Sequence, residues 1–304
     1  MSKAKKKRMS KSRVLFLVFC VTLPLLNFLI FYLYPNLSSF TMAFTNARGE
    51  WGLDNFARFG RELMRPESDL RFALRNTFLT FAILFVSFPL KVLVSYFIYK
   101  KVPGYGFFRV VFFLPTIIMP LAVAIIFKRM VGVNGFIAQA VGNWMELDYV
   151  PELLADSRFA NITVLTHMIW LGFPGDLIIW GGTFSRIPED MLESAKIDGV
   201  TWWTEFTKII VPLVWPTVAL QMILLICGLF GSSGQVWLLT EGQYGTMTMS
   251  SWLYKMLYEN SGSNYTSNVY NYLSAVGFII TTIAIVLSTI TRKYTSKAFK
   301  EVEF

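Results

Sequence analysis

The chain has 304 residues, 54% of them hydrophobic and only 15% charged, with a mean hydropathy of +0.50. An ordinary soluble domain carries roughly 25% charged residues to make its skin, so that class is excluded. The net charge of +9 marks no nucleic-acid face either. Lys3, Lys5, Lys6, Lys7, Arg8, Lys11 and Arg13 crowd the start, and most other cations flank apolar runs, a pattern that sets membrane topology.

Six apolar runs are predicted to be transmembrane helices, near residues 14–34, 76–99, 107–127, 162–182, 213–232 and 272–291. Helices are required because an unpaired backbone group in lipid costs several kcal/mol. The first run, Val14 to Tyr34, is longer than a secretory signal core and has no small-x-small cleavage pattern after it, so it reads as a retained helix. The inner connections hold 17 Lys and Arg against 10 in the outer ones, which places both termini inside. The layout is a basic tail (1–13), a first span with its outer connection (14–74), a transmembrane core (75–291) containing an inner loop at 186–212, and a C-terminal tail (292–304). Residues 35–75 and 128–161 mix charges with Gly and Trp, and predict short helices at the outer face.

Cys20 and Cys227 lie in apolar runs, so no disulfide framework is expected, and with the single His167 they make no metal site. The glycosylation-like triplets at Asn36, Asn161 and Asn264 match a pattern common by chance.

Polar and helix-breaking residues inside spans are where transport chemistry concentrates. In the fourth span Trp170, Leu171, Gly172, Pro174, Gly175 and Asp176 fall together. Pro and Gly there predict an unwound stretch lining a cavity, with the Trp170 face open to a ligand; the alternative is a proline kink with Trp170 packed on a neighbour. Asp176 is a candidate to pair with a partner subunit, Lys91 is expected to snorkel to the inner face, and His167 to be a hydrogen-bonded packing residue. After the fifth span, Ser232, Ser233 and Gln235 could bond ligand hydroxyls or simply end a helix.

The inner loop carries the strongest signal: Ile187-Pro-Glu-Asp-Met-Leu-Glu-Ser-Ala-Lys-Ile-Asp-Gly199, then Val200 to Pro212. It reads as a helix, a sharp stop and a second short helix. Pro188 suits a first turn, and Glu189 and Asp190 suit the positive end of the dipole. Gly199 can take the left-handed turn that ends a helix, Thr201 is a plausible N-cap, and Pro212 is expected to break the chain before span five. Met191, Leu192 and Ala195 share a small apolar face. That face fits either a partner groove or the lipid headgroups.

These residues resemble the E-A-A-x3-G-x9-I-x-L-P pattern of binding-protein-dependent ABC permeases. Glu193 stands at the acid, Ser194 and Ala195 at the small positions, Gly199 at the glycine, and Ile209, Val211 and Pro212 close the pattern. Tyr34-Pro35, Gly52 to Phe56, Phe108 to Pro115 and Trp170 to Pro174 are similar to the sugar-type permeases related to the maltose and glycerol-phosphate transporters, the first of the two permease types of a heterodimeric pair. The resemblance implies an all-α type I ABC importer permease fold. It implies that the loop is a coupling helix docking on an ATPase through Met191, Leu192, Glu193, Ser194, Ala195, Gly199, Ile209 and Pro212. It also implies a substrate path passing Trp170, Leu171 and Gly172.

The implied partners are a second permease, an ATPase dimer and an extracytoplasmic binding protein. No cofactor is expected on this chain, with ATP and Mg on the ATPase. The cargo implied is a carbohydrate. The rival classes are an ion-coupled secondary transporter, which needs several buried carboxylates, an importer for another solute, and a membrane enzyme, for which no nucleophile set, paired carboxylates or phosphate-binding glycine loop is present.

Overall fold

The computed structural model describes residues 11–46, 48–231, 234–259 and 266–298, and all regular elements among them are helical apart from one bridge between Thr45 and Trp51. In chain order they are α1 (Lys11–Phe28), α2 (Tyr34–Ala43), α3 (Asp54–Met64), α4 (Asp69–Tyr99), α5 (Tyr105–Ile117), α6 (Pro120–Val131), α7 (Phe136–Trp144) and α8 (Ala160–Phe184). There follow α9 (Glu189–Ile197), α10 (Trp202–Thr204), α11 (Val211–Cys227), α12 (Gly234–Thr240), α13 (Met249–Glu259) and α14 (Thr266–Ala298). Among the described residues six stretches are long and apolar enough to cross a bilayer: Phe16–Ala43, Asp69–Tyr99, Pro120–Trp144, Ala160–Phe184, Trp202–Cys227 and Asn268–Lys297.

Three prolines decide where these stretches depart from expectation. The third run is not one helix. Ile118 and Met119 are extended (ψ 142° and 134°), because a residue before proline is driven out of the helical region and Pro120 follows. Span four, by contrast, is unbroken: α8 runs straight through Gly172, Pro174 and Gly175, so the expected unwound stretch does not exist. Inside a bundle, neighbouring groups and small local adjustments absorb a proline's missing donor. Pro212 does not break the chain either. The backbone widens to a π turn over Glu205–Ile210, and α10, this turn and α11 form one span.

The chain divides into two units, Met1–Gly60 with Asn260–Ile279, and Arg61–Glu259 with Ile280–Phe304. In the first, α1 and α2 join through a π turn at Leu29–Leu33, and the apolar window of this span has no buried residue within the chain. The unit's connection after α2 is pinned by rings: Phe40, Phe44 and Phe56 each meet Phe278 edge-on at 5.6–6.1 Å. Buried Asn55 donates to the Ala43 and Thr45 carbonyls at 3.1 and 3.0 Å, which explains the polar residue inside the Gly52 to Phe56 motif.

The larger unit has two cores. One joins α4, α8, α9 and α11 through Phe88, Val92, Tyr96, Trp180, Phe184, Leu192, Phe206 and Ile210. The other joins α6, α7, α8 and α12 around Phe127, Val164, Met168 and Leu239. The loop between α12 and α13 turns tightly, with Glu241, Gly242, Tyr244 and Gly245 all at positive φ. Buried Asn76 of α4 holds it by donating to the carbonyls of Gly245 and Met247 at 2.6 and 3.0 Å, while Thr77 accepts from the Met249 amide.

A buried carbonyl left without its donor costs about 1–3 kcal/mol. Asn76→Ala is therefore expected to lower the melting temperature by several degrees, read from tryptophan fluorescence. An unchanged melt would show that the loop is held by other means.

Candidate functional site

The elbow between α8 and α11 folds as its residue types direct. Pro188 caps α9, one position before the first turn, at φ −57° and ψ 130°. Glu189 and Asp190 open the helix and Lys196 closes it, matching charge to the dipole at both ends. Gly199 sits at φ +72°, with its amide bonded to the Lys196 carbonyl and the Val200 amide to that of Ala195, both at 3.1 Å. This pair of bonds is the glycine-terminated motif predicted from the sequence. The Thr201 side chain accepts from the Thr204 amide at 3.4 Å and caps the next turn.

The faces of α9 are distributed differently from the sequence reading. Leu192 and Ala195 are buried within the chain, Leu192 in the core with Ile187, Phe206 and Ile210. They anchor the elbow and are not themselves open to a partner groove. The exposed side presents Met191, Glu193, Ser194 and Ile197, with Ile197 86% exposed, and Trp202 and Trp203 stand exposed beyond it. Of the apolar trio, only Met191 is free to touch another chain. In the following segment Ile210 is buried, Val211 packs at the edge of the same core, and Pro212 opens α11.

Glu205, which the sequence reading passed over, is the most consequential acid near the elbow. It is buried in the π turn and forms an ion pair with Lys100 at the end of α4. Beside it the Lys100 ammonium lies 5.8 Å over the Tyr96 ring, Tyr96 packs on Phe206 at 5.1 Å, and Phe97 packs on Trp202 at 5.3 Å. Lys100 had signalled topology only. A cue was present in Glu205, an acid in an otherwise apolar run, which calls for a cation.

Span four holds a second buried pair. Lys91 of α4 meets Asp176 of α8 at 3.0 Å, with both side chains under one-fifth exposed. Lys91 therefore does not snorkel, and Asp176 has its partner in its own chain. Gly172 is explained by the same pair: a Cβ there would collide with the Lys91 amine. Trp170 is half-buried and stacked on Phe127 at 6.3 Å, so it packs on a neighbour as the alternative reading held. His167 is buried against Phe127 at 4.7 Å, but neither ring nitrogen has a hydrogen-bond partner among the described residues, which corrects that expectation. Leu171 is partly exposed, and Gln235 is half-buried on α12. Ser232 and Ser233 lie outside the described residues. One strip of α8 is open: Gly175, Ile178 and Gly182 are exposed, and a Cβ at either glycine would meet nothing within 4 Å.

The geometry is that of a membrane bundle with an elbow fixed to three spans, and among the described residues no cluster of His, Cys, Asp and Glu could hold a metal. A family model described as binding-protein-dependent transport system inner membrane component matches residues 68–300, which include the whole elbow. The chain is 24% identical over 277 residues to the multiple sugar-binding transport system permease protein MsmF of Streptococcus mutans serotype c, covering 90% of this chain and 93% of that one. It is 26% identical over 271 residues to the lactose transport system permease protein LacF of Rhizobium radiobacter, covering 85% and 87%. Its fold matches a bacterial ABC transporter involved in the import of the acidic polysaccharide alginate, with a TM-score of 0.78 at 22% identity, over 94% of this chain and 96% of that one.

Removing one partner of a buried ion pair leaves a bare charge at a cost of about 3–5 kcal/mol, whereas apolar replacement of both is often neutral. Asp176→Leu alone is expected to deplete folded protein in the membrane, and Lys91→Met with Asp176→Leu to restore it, measured by detergent-resistant yield and melting. Equal losses in the single and double variants would refute the pairing.

Proposed function

The chain belongs to the binding-protein-dependent transport system inner membrane components, and from that premise we infer that it is the membrane-spanning subunit of an ATP-driven importer for a carbohydrate. The elbow is the observation that carries this reading. An exposed helix bearing Met191, Glu193, Ser194 and Ile197 is fixed from behind by Leu192 and Ala195 to the spans. It is shaped to receive force from another chain, and an ATPase dimer that binds ATP and Mg is the partner it fits. Domain closure in that ATPase pushes on the exposed face. The buried face passes the push to α4, α8 and α11 as a rigid-body change between two states.

A second permease subunit belongs to this reading, and exposed Gly175, where a Cβ would meet nothing within 4 Å, lets a neighbouring helix approach α8 closely. In this reading the elbow faces the cytoplasm, both termini lie inside, and a binding protein delivers cargo to the opposite face. The sugar-named relatives support a carbohydrate cargo, with an oligosaccharide preferred. Gly172 and Leu171 are assigned to the path indirectly. Gly172 admits the Lys91 amine, and the neutralised Lys91–Asp176 pair leaves that stretch of α8 without net charge.

Uptake is tested in vesicles loaded with ATP or given a proton or sodium gradient. Only ATP is expected to drive it; gradient-driven uptake without ATP would make this an ion-coupled transporter. A cysteine at Ile197 is expected to cross-link to a co-purifying ATPase, while one at buried Leu192 is not. Gly199→Pro, which cannot adopt φ +72°, and Glu193→Ala are expected to abolish uptake with insertion intact. Normal uptake in both would remove the elbow from the mechanism.

A further inference from the structure

The end of the larger unit that carries α9 holds a cavity of about 490 Å³ between α4, α5 and α8. Its walls divide by chemistry. Ile98, Phe113, Leu177 and Ile178 are apolar, and Gly181 and Gly182 leave room where any Cβ would meet nothing within 4 Å. The polar lining includes Lys101 and Arg109, with the Tyr99 and Tyr105 hydroxyl-bearing rings, and no carboxylate. Neither cation has an ion-pair partner among the described residues. Two acids act on Tyr99 from outside the lining: Glu205 is already neutralised by Lys100, and Glu189 at the start of α9 makes no ion pair with Lys101 or Arg109. Tyr105 is also the first residue of α5, so the positive end of that helix dipole adds to the field.

Lys101 has a second peculiarity. It sits at φ +53° in the turn that ends α4, with its amide bonded to the Ile98 carbonyl and the Val102 amide to that of Phe97. The corresponding position after α9 is Gly199, the residue that suits this conformation. A lysine held there is strained, and such strain collects at positions kept for another purpose. The purpose consistent with the cavity is its charge.

Two uncompensated cations above an apolar wall, at one end of a membrane bundle, match an amphiphile whose head is an anion. Free phosphate would use the cations and leave Phe113, Leu177 and Ile178 facing water. We propose that this cavity binds the phosphate of an anionic phospholipid from the leaflet on the α9 side. Lys101 and Arg109 contact the phosphate, and the apolar wall receives the start of an acyl chain. Basic pockets between helices at this depth hold lipid headgroups on the same principle.

The test uses the full chain, purified with whatever subunits accompany it and placed in phosphatidylcholine nanodiscs with or without phosphatidylglycerol. Native mass spectrometry then counts phosphatidylglycerol retained per chain. Lys101→Gly, which relieves the strained turn while deleting the charge, and Arg109→Gln are each expected to weaken retention about fivefold, as one cation near a membrane surface contributes. Arg109→Lys is expected to restore most of it. Lys208→Gln, at an exposed cation on the α9 side but outside the cavity, is expected to change nothing. Equal retention in wild type and both charge-deleting variants would overturn the proposal. So would an equal loss in Lys208→Gln, which would mean diffuse surface attraction. Protection of the detergent-solubilised protein against heat by inorganic phosphate alone, as strong as that by phosphatidylglycerol and lost in Lys101→Gly, would make this a free-anion site and overturn the lipid assignment.

Discussion

Everything mechanical in this chain depends on one weld: the elbow's buried face joins the spans in a single apolar core closed by the Glu205–Lys100 ion pair. Leu192, Ile187, Phe206 and Ile210 come from the elbow side, and Phe88, Val92, Tyr96, Trp180 and Phe184 from α4 and α8. Each large apolar side chain so buried contributes about 1.5–3 kcal/mol. The elbow therefore cannot slide on the bundle without exposing a continuous core. Close-packed interiors transmit displacement because they resist deformation, and that property suits an exposed helix to the lever role proposed for it.

The two faces of α9 divide the labour. Ser194, Glu193, Met191 and Ile197 are exposed, whereas Ala195 and Leu192, interleaved with them in sequence, are buried in the chain. The small residue at Ala195 lets α9 lie close to the bundle, and Gly199 gives the chain the one backbone conformation that returns it toward α11. The π turn at Glu205–Ile210 then serves two ends: it admits Pro212 and aims Glu205 at Lys100.

Much of this was legible in the sequence, and its limits have physical causes. Run lengths fixed the number of spans, because a bilayer sets a minimum length regardless of packing. The caps at Gly199 and Thr201 were legible because capping is local chemistry. Prolines misled in both directions: Pro174 and Pro212 carry a local penalty that neighbouring helices absorb, while Pro120, inside a run read as one span, breaks it by driving Met119 out of the helical region. The pairs Lys91–Asp176 and Lys100–Glu205 join helices distant in sequence, so Lys91 read as snorkelling, Asp176 as a partner for another subunit, Lys100 as a topology signal, and Glu205 gave no reading. The inward turn of Leu192 and Ala195 was equally hidden, since periodicity shows that residues share a face but not what that face meets.

The central claim, that the buried face carries the stroke, is tested most directly by the number of ATP molecules hydrolysed per cargo molecule imported in proteoliposomes containing Leu192→Ala. The substitution lies behind the exposed face and leaves the proposed ATPase contact untouched. The account requires this ratio to rise, with hydrolysis continuing while import falls, because a loosened lever slips. An unchanged ratio in a fully assembled complex would contradict it.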